Sequence, residues 1–211
     1  MNMKTLGFDP GARFVAWAVL DGPRLLDRGC ITGPIVKTKK NPAGVEWQRA
    51  LASILGAVEM RFREVKPELV ACEQTQHVAG KRAMSDESRM AQAVATDRTQ
   101  QIMGGIAVLC ERYQVPLVMV HPASSAAALG VKRGATDGEV SAAAKAMFAW
   151  EGKWLASDAH EARACGVALR GEKDWRLEQA KARRLVDGPA REGLSAVKTI
   201  VSSLKERQQR S

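Results

Sequence analysis

Four acidic residues stand where an apolar segment ends or a helix starts, and their types and spacing suit them to hold a hard cation. Asp9 follows the strand-like run Lys4-Thr5-Leu6-Gly7-Phe8, and Glu73 follows Leu69-Val70-Ala71-Cys72. Asp158 and Glu161 lie three residues apart at the start of an Ala-rich helical stretch. Side chains at i and i+3 of a helix share a face, so this pair can meet two strand-end carboxylates in one anionic cup. Oxygen ligands of this kind suit Mg²⁺ or Mn²⁺, and two ions bridged by carboxylates drive phosphodiester hydrolysis. Each acid also has a plainer reading. Asp9-Pro10-Gly11 fits a turn between strands, Glu73 a solvated strand end, and Asp158-x-x-Glu161 a variant of the capping box. The order of all four along alternating elements is what favours the cup. His160 lies between the paired acids, but two residues on from Asp158 it is expected to point off their shared face, as a neighbour and not a ligand.

The elements that must position these acids follow from hydrophobic periodicity. Strand-like segments cover about 4–9, 14–20 and 24–31, with Gly11 and Gly22 marking the hairpin turns. A Lys/Pro/Gly-rich loop from Gly33 to Gly44 leads to a helix whose Leu51, Leu55, Val58 and Phe62 recur at helical spacing. Leu69–Cys72 forms the next strand, followed by a polar loop and a long helix with Ile102, Ile106, Leu109 and Tyr113 on one stripe. Leu117–Val120 is expected to be a buried strand. Val140, Ala144 and Met147 mark a further helix before the acidic pair. Three antiparallel strands followed by alternating helices and strands define an α/β domain over residues 1–170. Composition shifts beyond Gly171, so 171–211 is expected to be a basic helical extension. Its stripe of Leu194, Val197, Ile200, Val201 and Leu204 is expected to pack on the domain or on a second subunit, with a DNA-gripping tail as the alternative, and Asp187-Gly188-Pro189 to break the extension into two helical pieces.

The motifs that carry the acids resemble those of the RuvC family of Holliday-junction resolvases. Leu6-Gly7-Phe8-Asp9-Pro10-Gly11-Ala12-Arg13 is similar to the family's opening Leu-Gly-Ile-Asp-Pro-Gly-Ser-Arg. Val70-Ala71-Cys72-Glu73-Gln74 resembles its second-acid segment, and Ser157-Asp158-Ala159-His160-Glu161-Ala162-Arg163-Ala164 its closing acidic helix. The resemblance covers residues 3 to about 170. It implies a ribonuclease H-like fold, with a mixed five-stranded sheet flanked by helices. It also implies a crossover junction endodeoxyribonuclease that works in DNA recombination and repair, with Asp9, Glu73, Asp158 and Glu161 as catalytic residues holding two Mg²⁺ ions per site, Mn²⁺ substituting. One ion would activate water and the other would stabilise the leaving 3′ oxygen, giving 5′-phosphate and 3′-hydroxyl ends. A homodimer would set two sites against the two-fold symmetry of a four-way junction.

The chain departs from the family pattern in several places. Glu161 stands where the family usually has Asp, Gln76 replaces an aromatic residue three positions after the second acid, and the segment from His77 to Arg98 is longer. Lys132 and Arg133 stand in for two family lysines that do not align cleanly. Together with Gln76, Lys81 and Arg82 they are the expected contacts to DNA, Gln76 to a base edge and the cations to phosphate. The altered loop and added tail suit a phage-encoded or divergent member.

Composition fits a polyanionic partner. The chain has 211 residues, is 45% hydrophobic, and carries 32 Lys+Arg against 23 Asp+Glu, a net charge of +9. Such a balance favours nucleic acid through counterion release. The four cysteines show no zinc-ligand spacing, and those in apolar runs, Cys72 and Cys110, are expected to be buried reduced thiols in a cytoplasmic protein. No apolar run is long enough to span a bilayer, and the N-terminus enters a strand too soon for a signal peptide. Two other classes remain open. A branched-DNA-binding protein without nuclease activity would keep the fold and charge but lose an acid. A sugar-kinase-like phosphotransferase also opens with Asp-x-Gly after a strand, but it needs a second Gly-rich phosphate loop, which this sequence lacks; no nucleotide cofactor and no membrane are expected.

Overall fold

The structure is a computed structural model that describes residues 2–33, 43–75, 85–132, 134–149 and 158–208, with 43–45 and 185–208 described by their backbone alone. Two compact units divide the chain, Met1–Glu172 and Lys173–Ser211. In the first, β1 (Lys4–Pro10), β2 (Phe14–Asp21) and β3 (Arg24–Thr32) form an antiparallel meander. Gly22, with φ +57°, takes the left-handed conformation that the tight β2–β3 turn requires. The chain continues through α1 (Ala43–Val65), β4 (Leu69–Glu73), α2 (Asp86–Tyr113), β5 (Leu117–Val120), α3 (Pro122–Ala128), α4 (Asp137–Phe148) and α5 (Asp158–Gln208). The five strands lie in the order β3-β2-β1-β4-β5, and β4 pairs in parallel with both β1 and β5. This is the mixed five-stranded sheet expected from the element order.

The period-two alternation of strand side chains divides the sheet into two unlike faces. On one face Leu6, Phe8, Val15, Trp17, Val19, Val70 and Cys72 pack against Ile54, Val58 and Phe62 of α1 and Ile102, Ile106 and Leu109 of α2. This is the main core. On the other face the residues are small: Gly7, Ala16, Ala18 and Ala71 meet the first turns of α5 through Ala164, Cys165 and Val167. A Cβ on Gly7 would run into the Ala164 carbonyl and the Ala168 backbone, and one on Gly171 into the Ala71 side chain. Missing side chains therefore let α5 lie almost on the sheet, which carries its N-terminus to the ends of β1 and β4.

Several sequence expectations change in detail. Leu117–Val120 is β5, the edge of the sheet among the described residues, and only Val120 is fully buried. In α1 Ile54, outside the expected stripe, is buried as fully as Val58, while Leu51 and Leu55 are only half-buried. Val140 and Ala144 are buried in α4, but Met147 in its last turn is exposed. The short α3 was not anticipated, although Pro122 at its first position and a cap from the His121 ring to the Ala123 N–H are the signals of a helix start. The backbone of α5 is helical through Asp187-Gly188-Pro189, where a break was expected. One proline removes a single intrahelical hydrogen bond, and the flanking turns carry the helix past it.

Candidate active site

Strand pairing brings the first two acids together. The parallel register sets Phe8 beside Cys72, so one step further along places Asp9 beside Glu73, both on the α5 side of the sheet. They are 7% and 8% exposed, which is unusual for carboxylates. Burial pushes the Glu73 pKa well above the ordinary carboxylate range, and the neighbouring Asp9 adds to the rise; the Ser125 hydroxyl and the Arg163 charge oppose it. Ser125, on α3, donates to Glu73 Oε1 at 2.6 Å and also lies 2.8 Å from the Pro122 carbonyl. A single hydroxyl proton serves both acceptors, so a protonated Glu73 can donate to the serine while the serine donates to the carbonyl. A cavity of about 300 Å³ opens here, bounded by Glu73, Ser125, Val140 and Arg163 among others.

The first turn of α5 closes over this pair. His160 Nδ1 lies 2.9 Å from Asp9 Oδ2, and the Phe14 ring packs on the imidazole at 4.3 Å between centroids. The histidine thus turns from the paired acids, as the spacing predicts, and meets the strand acid instead. Asp158 is 5% exposed, and its buried Oδ2 has no hydrogen-bond partner among the described residues. Buried carboxylate oxygens are rarely left in this state.

Arg28, which sequence reasoning missed, occupies the other half of the site. Its Nη1 lies 2.7 Å from Glu161 Oε2 and 4.0 Å from Asp158 Oδ1, with the Arg28 and Glu161 side chains each 13% exposed. Burial raises the Glu161 pKa and Arg28 counteracts it; burial lowers the Arg28 pKa, and the two acids counteract that. The register explains how a β3 residue reaches α5. Gly7, Ala18 and Arg28 form one cross-strand row, and Asp9, Ala16 and Cys30 form the next, all facing α5. Burial raises the Cys30 pKa, and the nearby charges of Glu161 and Asp9 add to it, so both acid pairs bear on one spot.

Among the described residues no three His, Cys, Asp or Glu side chains are gathered as a ligand set; the acids form two pairs, Asp9 with Glu73 and Asp158 with Glu161. The Asp9–Glu73 pair fits a Mg²⁺-like ion. Such an ion is typically held by one or two carboxylates and completes its shell with water and substrate phosphate. Of the expected DNA contacts, Lys132 is exposed on the loop before α4, while Gln76, Lys81, Arg82 and Arg133 lie outside the described residues.

No protein-family model matches the sequence, and no curated protein matches it either. Solved structures do match. The structure of Thermus thermophilus RuvC aligns with a TM-score of 0.61 at 18% identity, covering 83% of this chain and 97% of that one. T. thermophilus RuvC in complex with a Holliday junction substrate aligns with a TM-score of 0.60 at 19% identity, covering 83% and 96%. The chain therefore has the ribonuclease H-like fold in its RuvC-like arrangement.

Proposed function

We propose that this chain is a Mg²⁺-dependent endonuclease that cuts Holliday junctions or related branched DNA, acting as a homodimer and leaving 5′-phosphate and 3′-hydroxyl ends. The observation that carries this reading is the pair of buried carboxylates, Asp9 and Glu73, at neighbouring strand ends on the sheet face covered by α5. The RuvC-like fold and the net charge of +9 support the choice of substrate. A divalent ion bound at Asp9 and Glu73 would activate water and offset the charge that grows on the phosphate.

The chain's own residues set up that chemistry. His160 fixes the orientation of the Asp9 carboxylate, and Ser125 fixes that of Glu73. Asp158 brings a further buried oxygen on the first turn of α5, and Lys132 offers a charge to the DNA backbone. Mn²⁺ should replace Mg²⁺, whereas Ca²⁺, with longer and looser coordination, should allow binding with little cutting.

The test is cleavage of a labelled four-way junction, a three-way junction, a flap and a linear duplex, with and without Mg²⁺. Asp9→Asn should bind the junction as well as wild type and cut it about a thousandfold more slowly, since the change removes charge without altering shape. Cleavage by Asp9→Asn at the wild-type rate rejects the site. Junction binding without cutting by the wild-type chain leaves a branched-DNA-binding protein.

A further inference from the structure

We infer that Arg28 is the resident cation of the Asp158–Glu161 half of the site, standing where a second metal ion would otherwise sit, and that Glu161 positions this arginine and is not an ion ligand. The inference rests on the reading of Asp9 and Glu73 as a metal-dependent nuclease site. It concerns how many ions that site takes and which residue supplies the remaining positive charge.

Three observations carry it. First, the Glu161 carboxylate is already engaged, with Oε2 at 2.7 Å from the guanidinium, and Asp158 Oδ1 lies at 4.0 Å from the same nitrogen. An arginine keeps its charge under all ordinary conditions, and a dication placed against these two acids would have to approach that charge closely. Second, the pair is built into the sheet. The cross-strand row Gly7–Ala18–Arg28 contributes no side chain at its first position and only a methyl at its second, which leaves the long side chain a path across the sheet to α5. Third, the acids divide as this assignment requires. Among the described residues they form two pairs and no larger ligand set; Arg28 lies within salt-bridge distance of Asp158 and Glu161, whereas Arg163 acts on Glu73 through its charge across the cavity they share.

Arg28 also lies at the edge of open space, although its Nε and Nη1 are buried. Arg28 and Glu161 border an open cleft of about 460 Å³ whose other walls include Leu25, Asp27 and Phe148. A planar cation beside a phosphodiester does by hydrogen bonding and charge part of what a second ion does by coordination. Glu161 then holds the guanidinium in place by charge, and the extra methylene of Glu over Asp supplies the length to reach β3.

The test counts Mn²⁺ bound to the full chain in the absence of DNA, by electron paramagnetic resonance of the free ion. Wild type and Glu161→Gln should each bind one ion, and Asp9→Asn should lose it. Arg28→Met should gain a second ion, because the two acids it leaves behind become an uncompensated pair; a merely structural arginine would not alter the count. Arg28→Lys keeps the charge and should bind one, so a folding failure of Arg28→Met leaves the Lys and Gln variants to decide. Two ions on wild type, with one lost in Glu161→Gln, overturns the inference while leaving the nuclease reading intact. One ion on well-folded Arg28→Met overturns it as well. Absence of any bound Mn²⁺ on wild type overturns both.

Discussion

Glu73 carries a cost that the rest of the protein must offset. Glu73 is almost fully buried beside a second carboxylate, and burial, with that neighbour's charge, holds its proton on to higher pH than in an unfolded chain. The sign of the pH dependence follows. At pH values below the ordinary carboxylate range both states keep the proton. As pH rises from there to the raised folded-state pKa, the unfolded chain releases a proton that the folded chain retains, so stability falls, and it levels off above that value. Thermal melts of metal-free protein should show this decline, and Glu73→Gln should flatten it. Added Mg²⁺ should raise the wild-type melting temperature most at the alkaline end, where ligands need no deprotonation, and should do little for the variant. A pH-independent melting temperature for wild type would remove the basis for this account. At this scale Asp9 and Glu73 were legible in the sequence because each ends an apolar run. Arg28 was not, because a basic residue in a strand of mixed polarity looks solvated until the register shows which face it takes. Ser125 sits in a short Ala/Ser run with no distinguishing pattern.

The element on which the site depends is the first part of α5. Its approach is set by what the sheet lacks: side chains at Gly7 and bulk at Ala18 and Ala71. Gly7→Ala should therefore destabilise the protein by about 1–3 kcal/mol, as overpacking does. In a chain of this size each kcal/mol lowers the melting point by about 2–4 °C. Activity should fall further than stability explains, since α5 can relieve the clash only by moving Asp158 and His160 away from Asp9. An unchanged melting temperature for Gly7→Ala would mean the contact gives way easily. The strands were legible because their alternation is clean, and the stripes of α1 and α2 because they recur at helical spacing. The continuity of α5 through Pro189 was not, since proline and glycine signal a break locally while the flanking turns decide whether one occurs.

Taken whole, the molecule is a basic chain, with 32 Lys+Arg against 23 Asp+Glu, and four of those acids line the proposed site. The net charge of +9 should make junction binding steeply dependent on salt. Lys132→Ala tests one contributor: if it meets a phosphate, the slope of log affinity against log salt should become shallower by about 1. An identical slope returns Lys132 to the solvated surface. Among the described residues no helix is long and apolar enough to cross a membrane. Fold class was readable at this scale because element order constrains topology strongly. The contact of Arg28 with Glu161 was not, since the two residues lie far apart in the chain.

The pleat of β1 and β4 also acts as a parity rule on the gene. Alternate residues of each strand belong to different environments: Phe8 and Cys72 to the core under α1 and α2, Asp9 and Glu73 to the site under α5. Deleting or inserting a single codon within Leu69–Glu73 would exchange these roles, delivering a carboxylate to the apolar core and a thiol to the site. Loops can lengthen and shorten by any number of residues during descent, but length changes inside these two strands should survive only in even steps.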